Sequence, residues 1–381
     1  MWITDNIGKI DRAELFVVDI PLIFPFVTGY GVVKNRESLL LKITSEGCVG
    51  WSECASFKDP WYYHETIDSS LQTAMDFLLP ELFEAGSLGP KLTQELFSGV
   101  HGNNMAKAMI ENALLDVYAR KRNKPLYDIL GGKRKSIKSG ISIGITENID
   151  SLLGKIGEAV KKRYHRVKIK IKRGWDVEVI SVVRSAFPDL NLIVDANGAY
   201  TFNDFVLLKS LDEFGLGMIE QPFDAGDFLN HSELKREIKT PICLDESITD
   251  FHSVSLAVNF NSCDFICIKQ GRVGGLIESI RLKNHCIENG FKVWCGGMLE
   301  TGIGRAFNLH LQTVEGFDHT GDISESSRYF KDDIVTEPAL LDREGYIRVP
   351  DGNGSGIEID QKKLEKFLIY KKEIRRNQKN R

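Results

Sequence analysis

Between residues 164 and 272, charged residues recur at a nearly constant interval, and each lies at the end of a short apolar run. The interval is about 25 residues, and the charged residues are Lys170, Asp195, Glu220, Asp245 and Lys269. Four to six large or β-branched residues indicate a buried strand, and about twenty residues between strands suit a loop, a helix and a second loop. The spacing therefore predicts consecutive βα units that form a parallel sheet.

The charged residues all fall at the predicted carboxyl ends of these strands. In a (β/α) barrel those ends converge on one mouth, where catalytic groups collect. A barrel of this type needs about 250 residues, and the chain has 381, so we expect a second domain. The sequence thus predicts an α/β fold with two lysines and three carboxylates around one cavity.

The first 132 residues carry a different pattern, with strands first and helices after, which is typical of an α+β domain. Its predicted elements are strands over 12–23, 38–43 and 48–54 and helices over 67–83 and 104–120. We expect the barrel to span 133–327 and residues 328–381 to fold back on the small domain.

The segment PLIFPFVTGYG at 21–31 combines two prolines, two glycines and three aromatic residues. We predict that it forms no regular strand and is instead a loop that closes over a ligand. The alternative is that its aromatic residues simply pack inside the small domain.

Composition excludes several classes of partner. A hydrophobic content of 42% and a net charge of −4 give no reason to expect a nucleic acid or a membrane as partner. We find neither a signal peptide nor an apolar run long enough to span a bilayer. The seven cysteines form no CxxC pair and are predicted to be reduced core residues, so the expected location is the cytoplasm. The basic stretch 361–381 is predicted to be an exposed helix that frays into a tail, with a polyanion-binding patch as the alternative.

The three carboxylates predict a metal site. Asp195, Glu220 and Asp245 would repel one another in a low-dielectric mouth unless a cation lay between them. A set of oxygen ligands favours a hard ion, with Mg²⁺ as the default and Mn²⁺ as the second choice. A single aspartate at a strand end is more often a helix cap, but three acidic residues at equal spacing favour a metal site.

Lys168 and Lys170 lie two residues apart on one predicted strand, so both point to the same face. If that face is the barrel interior, each ammonium group favours the neutral form of the other, and Lys170 can act as a base. The alternative is a solvated basic strand, because Arg166 and Lys172 share the same parity.

Lys269 argues against a solvated strand. It is predicted to stand across the barrel mouth from Lys170, so a small carboxylate substrate bound to the metal would lie between two lysines. Chelation acidifies the α-carbon of such a substrate, and metal and lysines together must lower the barrier by about 10 kcal/mol or more. These groups predict abstraction of an α-proton from a carboxylate.

Several motifs around these residues resemble the enolase superfamily, in its muconate-lactonizing-enzyme subgroup. They are KIK at 168–170, DAN at 195–197, EQP at 220–222, LDES at 244–247, IKQGRVGG and GGMLETG at 296–302. Longer segments are similar to the branch that holds o-succinylbenzoate synthases and N-succinylamino acid racemases: GWSECASFKDPWYYHET, GDISESSRYFKDDIV and VPDGNGSGIEID. The resemblance covers about residues 10 to 360.

The resemblance implies a modified (β/α)7β barrel of TIM type with an N-terminal α+β capping domain. It implies Mg²⁺ on the three carboxylates, Lys170 as base, Lys269 opposite and Lys168 tuning Lys170. The implied substrate neighbours are Ser142, Asn197, Met298 and the 21–31 segment. The oligomeric state stays open, although members of the family are often dimers or larger.

The implied activity is that of an o-succinylbenzoate synthase, which belongs to menaquinone biosynthesis. This enzyme performs the Mg²⁺-dependent syn-dehydration of 2-succinyl-6-hydroxy-2,4-cyclohexadiene-1-carboxylate to 2-succinylbenzoate through an enediolate. Lys170 would remove the α-proton and then protonate the departing hydroxyl, while Lys269 stays cationic. In the alternative, an N-succinylamino acid racemase, the two lysines would exchange roles on opposite faces of the substrate.

Arg272 keeps the racemase alternative open. Its guanidinium, three residues after Lys269, is expected to lower the pKa of that lysine and to lie close to the substrate. Other reactions fit less well: a mandelate-racemase type needs a histidine that VWCGGM lacks, and muconate cycloisomerase or dipeptide epimerase activity is also disfavoured. A barrel without catalysis would lack one of the ligands or lysines, and all are present.

Overall fold

The computed structural model describes residues 6–28, 31–86 and 89–376, and its N-terminal part is built on an antiparallel sheet. The first elements are β1 (Ile10–Val27), β2 (Val32–Ser45), β3 (Cys48–Glu53), α1 (Ile67–Thr73), α2 (Leu79–Ala85), α3 (Thr93–Leu96), α4 (Asn104–Lys121) and α5 (Leu126–Leu130). A π-helical turn, Ala74–Leu78, joins α1 to α2. The two predicted helices are therefore confirmed, the first with this turn in its middle.

Most of the 21–31 segment is a strand and not the predicted loop. β1 and β2 pair in antiparallel register out to Val27 and Val32, and the register shifts between Pro21 and Phe26. The shift accommodates the prolines, which cannot donate a hydrogen bond to a regular ladder. The loop prediction is thus wrong for 21–27, and its residues 29 and 30 lie outside the described part of the chain.

The second large sheet has seven parallel strands. The elements of this part are β4 (Ser136–Lys138), β5 (Gly140–Ile143), α6 (Ile149–Lys161), β6 (Arg166–Lys170), α7 (Val177–Ala186), β7 (Leu192–Asp195), α8 (Phe205–Ser210), β8 (Met218–Glu220), α9 (Phe228–Glu237), β9 (Ile242–Leu244), α10 (Phe251–Phe260), β10 (Phe265–Ile268), α11 (Gln270–Val273), α12 (Leu276–Glu288), β11 (Lys292–Cys295) and α13 (Gly302–Gln312). The order is β11-β10-β9-β8-β7-β6-β5. The fold is the predicted TIM-type barrel with an N-terminal α+β capping domain.

A short segment without regular strand structure closes the barrel between β11 and β5. Gly321 forms a parallel bridge with Ser139, next to β5. On the other side, the Asp322 amide donates a hydrogen bond to the Cys295 carbonyl at 2.9 Å. Residues 321–323 therefore occupy the eighth position of the barrel.

The C-terminal elements pair with two different sheets. They are β12 (Tyr346–Arg348), which pairs with β4, then α14 (Gln361–Phe367) and β13 (Leu368–Arg375), which pairs antiparallel with β1. The prediction of a helix followed by a tail is wrong for 368–375, because the open edge of β1 binds this segment through backbone hydrogen bonds.

The domain limits 1–132, 133–327 and 328–381 stay a prediction. In the described ranges, no helix combines the length and apolarity that a membrane crossing needs.

A buried glutamate of α4 joins the capping domain to the barrel. Oε1 of Glu111 accepts a hydrogen bond of 3.0 Å from the Ile277 amide in the first turn of α12. Burial raises the pKa of Glu111 to about 8, although this hydrogen bond opposes the shift. The carboxyl group therefore keeps a proton at neutral pH.

Replacing Glu111 with glutamine is expected to flatten the pH dependence of stability. Between the ordinary pKa of 4.5 and about 8, the folded protein holds a proton that the unfolded chain releases. The free energy of unfolding therefore falls as pH rises through this window, by up to about 1.4 kcal/mol per pH unit. Urea unfolding near pH 5 and pH 8 checks this. The exposed Glu288→Gln variant should keep the wild-type slope, and an unchanged slope in Glu111→Gln would contradict the prediction.

Candidate active site

A cavity of about 530 Å³ lies between the carboxyl ends of the barrel strands and the capping domain. Its volume falls in the range of small-molecule sites. The barrel contributes Ser142, Lys168, Lys170, Asn197, Lys269, Met298 and Asp322, and the capping domain contributes Phe26, Thr28, Gly31, Arg36, Phe57, Trp61 and Tyr62, among others. Residues on both sides of the β1–β2 turn thus line the cavity, and closure of this segment over a ligand stays a prediction.

The parallel register places Lys170, Asp195 and Glu220 at one level of the barrel. Lys170 is the register partner of Asp195, and Asp195 is the partner of Glu220. Lys168 and Lys170 are only 2% and 7% exposed. The alternative of a solvated basic strand is therefore wrong, although Lys172 is exposed.

Lys170 and Lys269 stand on opposite sides of the mouth. In the sheet order, β7, β8 and β9 lie between β6 and β10, and the 321–323 segment fills the remaining position. Strands four positions apart in a barrel of eight are diametrically opposed. Since both lysines line the cavity, a small molecule bound there lies between them.

Asp195 binds both lysines of β6. Its Oδ2 lies 2.5 Å from Lys170 Nζ and 3.1 Å from Lys168 Nζ. Its Oδ1 accepts a hydrogen bond of 3.0 Å from the Asn197 amide. Burial raises the pKa of Asp195, but the two ammonium groups outweigh it and bring the pKa to about 2. Asp195 is therefore a carboxylate at every physiological pH.

Lys168 lies at the centre of a buried ionic cluster. Its Nζ is 2.8 Å from Glu220 Oε1 and 2.5 Å from Asp322 Oδ2. Burial lowers the pKa of Lys168, but Asp322, Glu220 and Asp195 raise it, and the result lies well above the ordinary value. Lys168 is thus a permanent cation beside Lys170.

Lys269 is held by a second set of partners. Its Nζ lies 2.8 Å from Asp245 Oδ2 and 2.5 Å from the hydroxyl of Tyr62. Burial lowers the pKa of Lys269, Asp245 and Tyr62 raise it, and Arg272 lowers it. The pKa of Lys269 therefore lies well above its ordinary value. The expected decrease through Arg272 is present, but the effect of Asp245 outweighs it.

Arg272 lies behind the mouth and does not line the cavity. It is 0% exposed, and its Nη2 binds Asp245 Oδ1 at 2.7 Å. Its Nε donates a hydrogen bond of 2.8 Å to the Ile248 carbonyl. The prediction of Arg272 as a substrate neighbour is therefore corrected, because α11 turns the side chain toward Asp245. Ser142, Asn197 and Met298 do line the cavity.

The carboxylates of the mouth fit a hard divalent cation. Ligand atoms of Glu220, Asp245 and Cys267 lie within 4.8 Å of one another in the described part of the chain. Burial and Asp195 raise the pKa of Glu220 well above its ordinary value, and a bound cation would oppose this shift. Burial also raises the pKa of the Cys267 thiol, so this group stays protonated and is a poor ligand for a hard ion.

Sequence reasoning missed three residues of this site. Tyr62, Asp322 and Glu246 were not singled out, although each lies in a quoted motif. Cys267 is a buried, free core residue, as predicted for the cysteines. Glu246 accepts a hydrogen bond of 2.8 Å from Asn197 Nδ2 and so fixes that side chain. Membership of those motifs was the only signal, because Tyr62 and Asp322 lie outside any apolar strand pattern.

Comparisons with known proteins agree with this geometry. The family described as Mandelate racemase / muconate lactonizing enzyme, N-terminal domain, matches residues 12–131, and the Enolase C-terminal domain-like family matches residues 152–363. An o-succinylbenzoate synthase from Geobacillus kaustophilus is 45% identical over 349 residues, which cover 91% of this chain and 93% of that protein.

Racemases are also among the relatives. An N-succinylamino acid racemase from Thermus thermophilus is 38% identical over 364 residues, which cover 96% of this chain and 98% of that protein. The crystal structure of an enolase superfamily member from Listeria innocua matches with a TM-score of 0.93 and 40% identity, over 97% of this chain and 100% of that one. This chain belongs to the enolase superfamily, in the muconate-lactonizing-enzyme subgroup and the branch that holds o-succinylbenzoate synthases and N-succinylamino acid racemases.

Proposed function

We propose that the chain is an o-succinylbenzoate synthase, which dehydrates 2-succinyl-6-hydroxy-2,4-cyclohexadiene-1-carboxylate to 2-succinylbenzoate. The observation that carries the proposal is the pair of opposed lysines, Lys170 and Lys269, in one cavity beside Glu220 and Asp245. The synthase relative, 45% identical over 91% of this chain, supports the same reaction. We also propose a place in menaquinone biosynthesis, a cytoplasmic location and a homo-oligomeric state.

We propose Mg²⁺ as the metal, with Mn²⁺ as a substitute, held by Asp195, Glu220 and Asp245. When bound, such an ion polarises the substrate carboxylate and stabilises the negative charge that develops on it. All three carboxylates have cationic partners: Asp195 binds Lys170 and Lys168, Glu220 binds Lys168, and Asp245 binds Lys269 and Arg272. These contacts would have to change when the ion binds.

Lys170 is the proposed base for the α-proton. Its short contact with Asp195 holds the amine at the cavity wall, on the side opposite Lys269. After taking the proton, Lys170 returns it to the departing hydroxyl on the same face, so that water leaves and the ring becomes aromatic. Lys168 remains cationic beside Lys170.

Lys269 remains cationic on the other face in dehydration, where it stabilises the negative charge of the intermediate. The capping residues exclude water from the mouth, and Ser142, Asn197 and Met298 orient the substrate. Arg272 acts through Asp245 and Tyr62 and not by touching the substrate.

Racemisation of N-succinylamino acids is the second candidate activity. The same two lysines lie on opposite faces of the cavity, which is the arrangement that inversion of an α-carbon requires. The racemase relative, 38% identical over 96% of this chain, supports this candidate.

The first test is kinetics with single compounds in the presence of Mg²⁺. We expect rapid loss of the cyclohexadiene absorbance of the synthase substrate and slower loss of optical rotation of N-succinyl-L-phenylglycine in the same preparation. The reverse ranking would make racemisation the main activity. If the enzyme reacts with neither compound, the proposed function is overturned.

Removal of the metal is expected to abolish both activities. A chelator should stop catalysis, and added Mg²⁺ should restore it and raise the melting temperature. Binding at about 100 times the Kd adds about 2.7 kcal/mol to the stability. The control is Glu220→Gln, which should show no Mg²⁺-dependent rise, whereas a rise equal to that of the wild type would contradict the ligand assignment.

A further inference from the structure

A tyrosine of the capping domain contacts the second lysine directly. Tyr62 follows β3 in a loop and is partly buried, and its ring packs edge-on against Phe57 with centroids 6.1 Å apart. Its hydroxyl lies 2.5 Å from Lys269 Nζ and 2.6 Å from Arg272 Nη1. The same hydroxyl donates to Asp245 Oδ2 at 3.2 Å.

These contacts match the hydrogen-bonding capacity of a neutral phenol. The oxygen accepts from the two cationic groups, Lys269 and Arg272, while the proton goes to the carboxylate of Asp245. The hydroxyl of Tyr62 therefore gives Lys269 Nζ a second partner beside Asp245.

Such fixing is needed because a lysine side chain is long and flexible. Asp245 lies on the neighbouring strand and binds Lys269 at 2.8 Å, but a single ion pair leaves the ammonium group free to swing around the carboxylate. Tyr62 approaches from the opposite domain and completes the enclosure. Lys170 has a different set of partners, with Asp195 at 2.5 Å.

We propose that Tyr62 is a positioning residue that holds Lys269 at its face of the substrate. This inference rests on the proposed function and deepens it: the capping domain supplies part of the geometry of one lysine and leaves the other unaffected. Loss of the hydroxyl should therefore impair chemistry on one face of the α-carbon only. A general loss of folding would affect both faces equally.

The test compares Tyr62→Phe with Tyr63→Phe, a neighbouring partly buried tyrosine that is not among the cavity-lining residues. The two enantiomers of N-succinylphenylglycine are incubated separately in D₂O with Mg²⁺, and deuterium exchange at the α-carbon is followed by NMR. When an enantiomer exchanges its α-proton for deuterium with retention of configuration, a single lysine removes the proton and returns the deuteron. We expect Tyr62→Phe to slow exchange in one enantiomer by at least about tenfold and to leave the other within about twofold. Tyr63→Phe should match the wild type.

Other outcomes overturn the inference. Equal slowing of both enantiomers, or no slowing, would show that Tyr62 does not act through Lys269. Exchange in only one enantiomer by the wild type would also overturn it, because Lys269 would then not reach the α-carbon.

The synthase reaction is assayed in the same preparations, so that failure of the inference is separate from failure of the proposed function. If the wild type catalyses dehydration but exchanges neither enantiomer, the positioning role is tested by the kcat of Tyr62→Phe for dehydration. A fall of about tenfold in kcat with KM within about twofold supports the positioning role, and an unchanged kcat overturns it. If the wild-type enzyme shows no activity in either assay, both the proposed function and the inference are overturned.

Discussion

Lys170→Ala is expected to lower kcat for dehydration by at least about a thousandfold, because a positioned general base contributes up to about four orders of magnitude. The side chain lines the cavity and is 7% exposed, and its amine is held 2.5 Å from Asp195. Alanine removes the amine without adding bulk. KM should change much less than kcat, because in the proposed mechanism the metal, and not Lys170, would bind the carboxylate of the substrate.

Lys172 provides the matched control. It lies two residues further along the chain and is exposed, so Lys172→Ala should keep kcat within about twofold of the wild type. Lys170→Arg retains the positive charge next to Asp195 but is too weak a base, so it should fold and remain inactive. A Lys170→Ala enzyme with more than about a tenth of the wild-type kcat would mean that another group removes the proton.

The strand-end residues could be predicted because they follow a pattern that the barrel itself imposes. Parallel strands at a regular interval bring their last residues to one mouth, so Lys170, Asp195 and Glu220 share one level in the structure. Asp245 lies two residues beyond Cys243, which is the register partner of Glu220. The parity of Lys168 and Lys170 correctly placed both side chains inside, because alternate residues of a strand face the same side.

The parts that were missed depend on contacts between distant segments. Tyr62 reaches Lys269 across 207 residues of chain, and no local spacing encodes such a contact. The strand character of 21–27 and of 368–375 also comes from pairing with a distant partner, which overrides local proline, glycine and charge signals. Arg272 lies near Lys269, as expected, since both contact the Tyr62 hydroxyl, but α11 turns its guanidinium toward Asp245 and not into the cavity.

Asp322→Asn is expected to destabilise the protein by about 3 to 5 kcal/mol, because it removes one partner of a buried ionic cluster. Asp322 binds Arg166 and also lies 2.5 Å from Lys168 Nζ. Both cations are buried, and Arg166 already has nitrogens without a hydrogen-bond partner within the described structure. Asparagine keeps the shape of the side chain but leaves Arg166 without a countercharge. Urea unfolding in a chelator measures the loss without a contribution from metal binding.

Asp318→Asn tests whether the effect comes from burial or from ion pairing alone. Asp318 also pairs with an arginine, Arg134, but this pair lies at the surface, so its loss should cost no more than about 1 kcal/mol. A second test adds Arg166→Met to Asp322→Asn: the double variant should be more stable than Asp322→Asn, because the uncompensated buried charge is gone. Equal losses in Asp322→Asn and Asp318→Asn would show that the 321–323 segment contributes no buried charge to the barrel, and Lys168 would then depend on Glu220 and Asp195 alone.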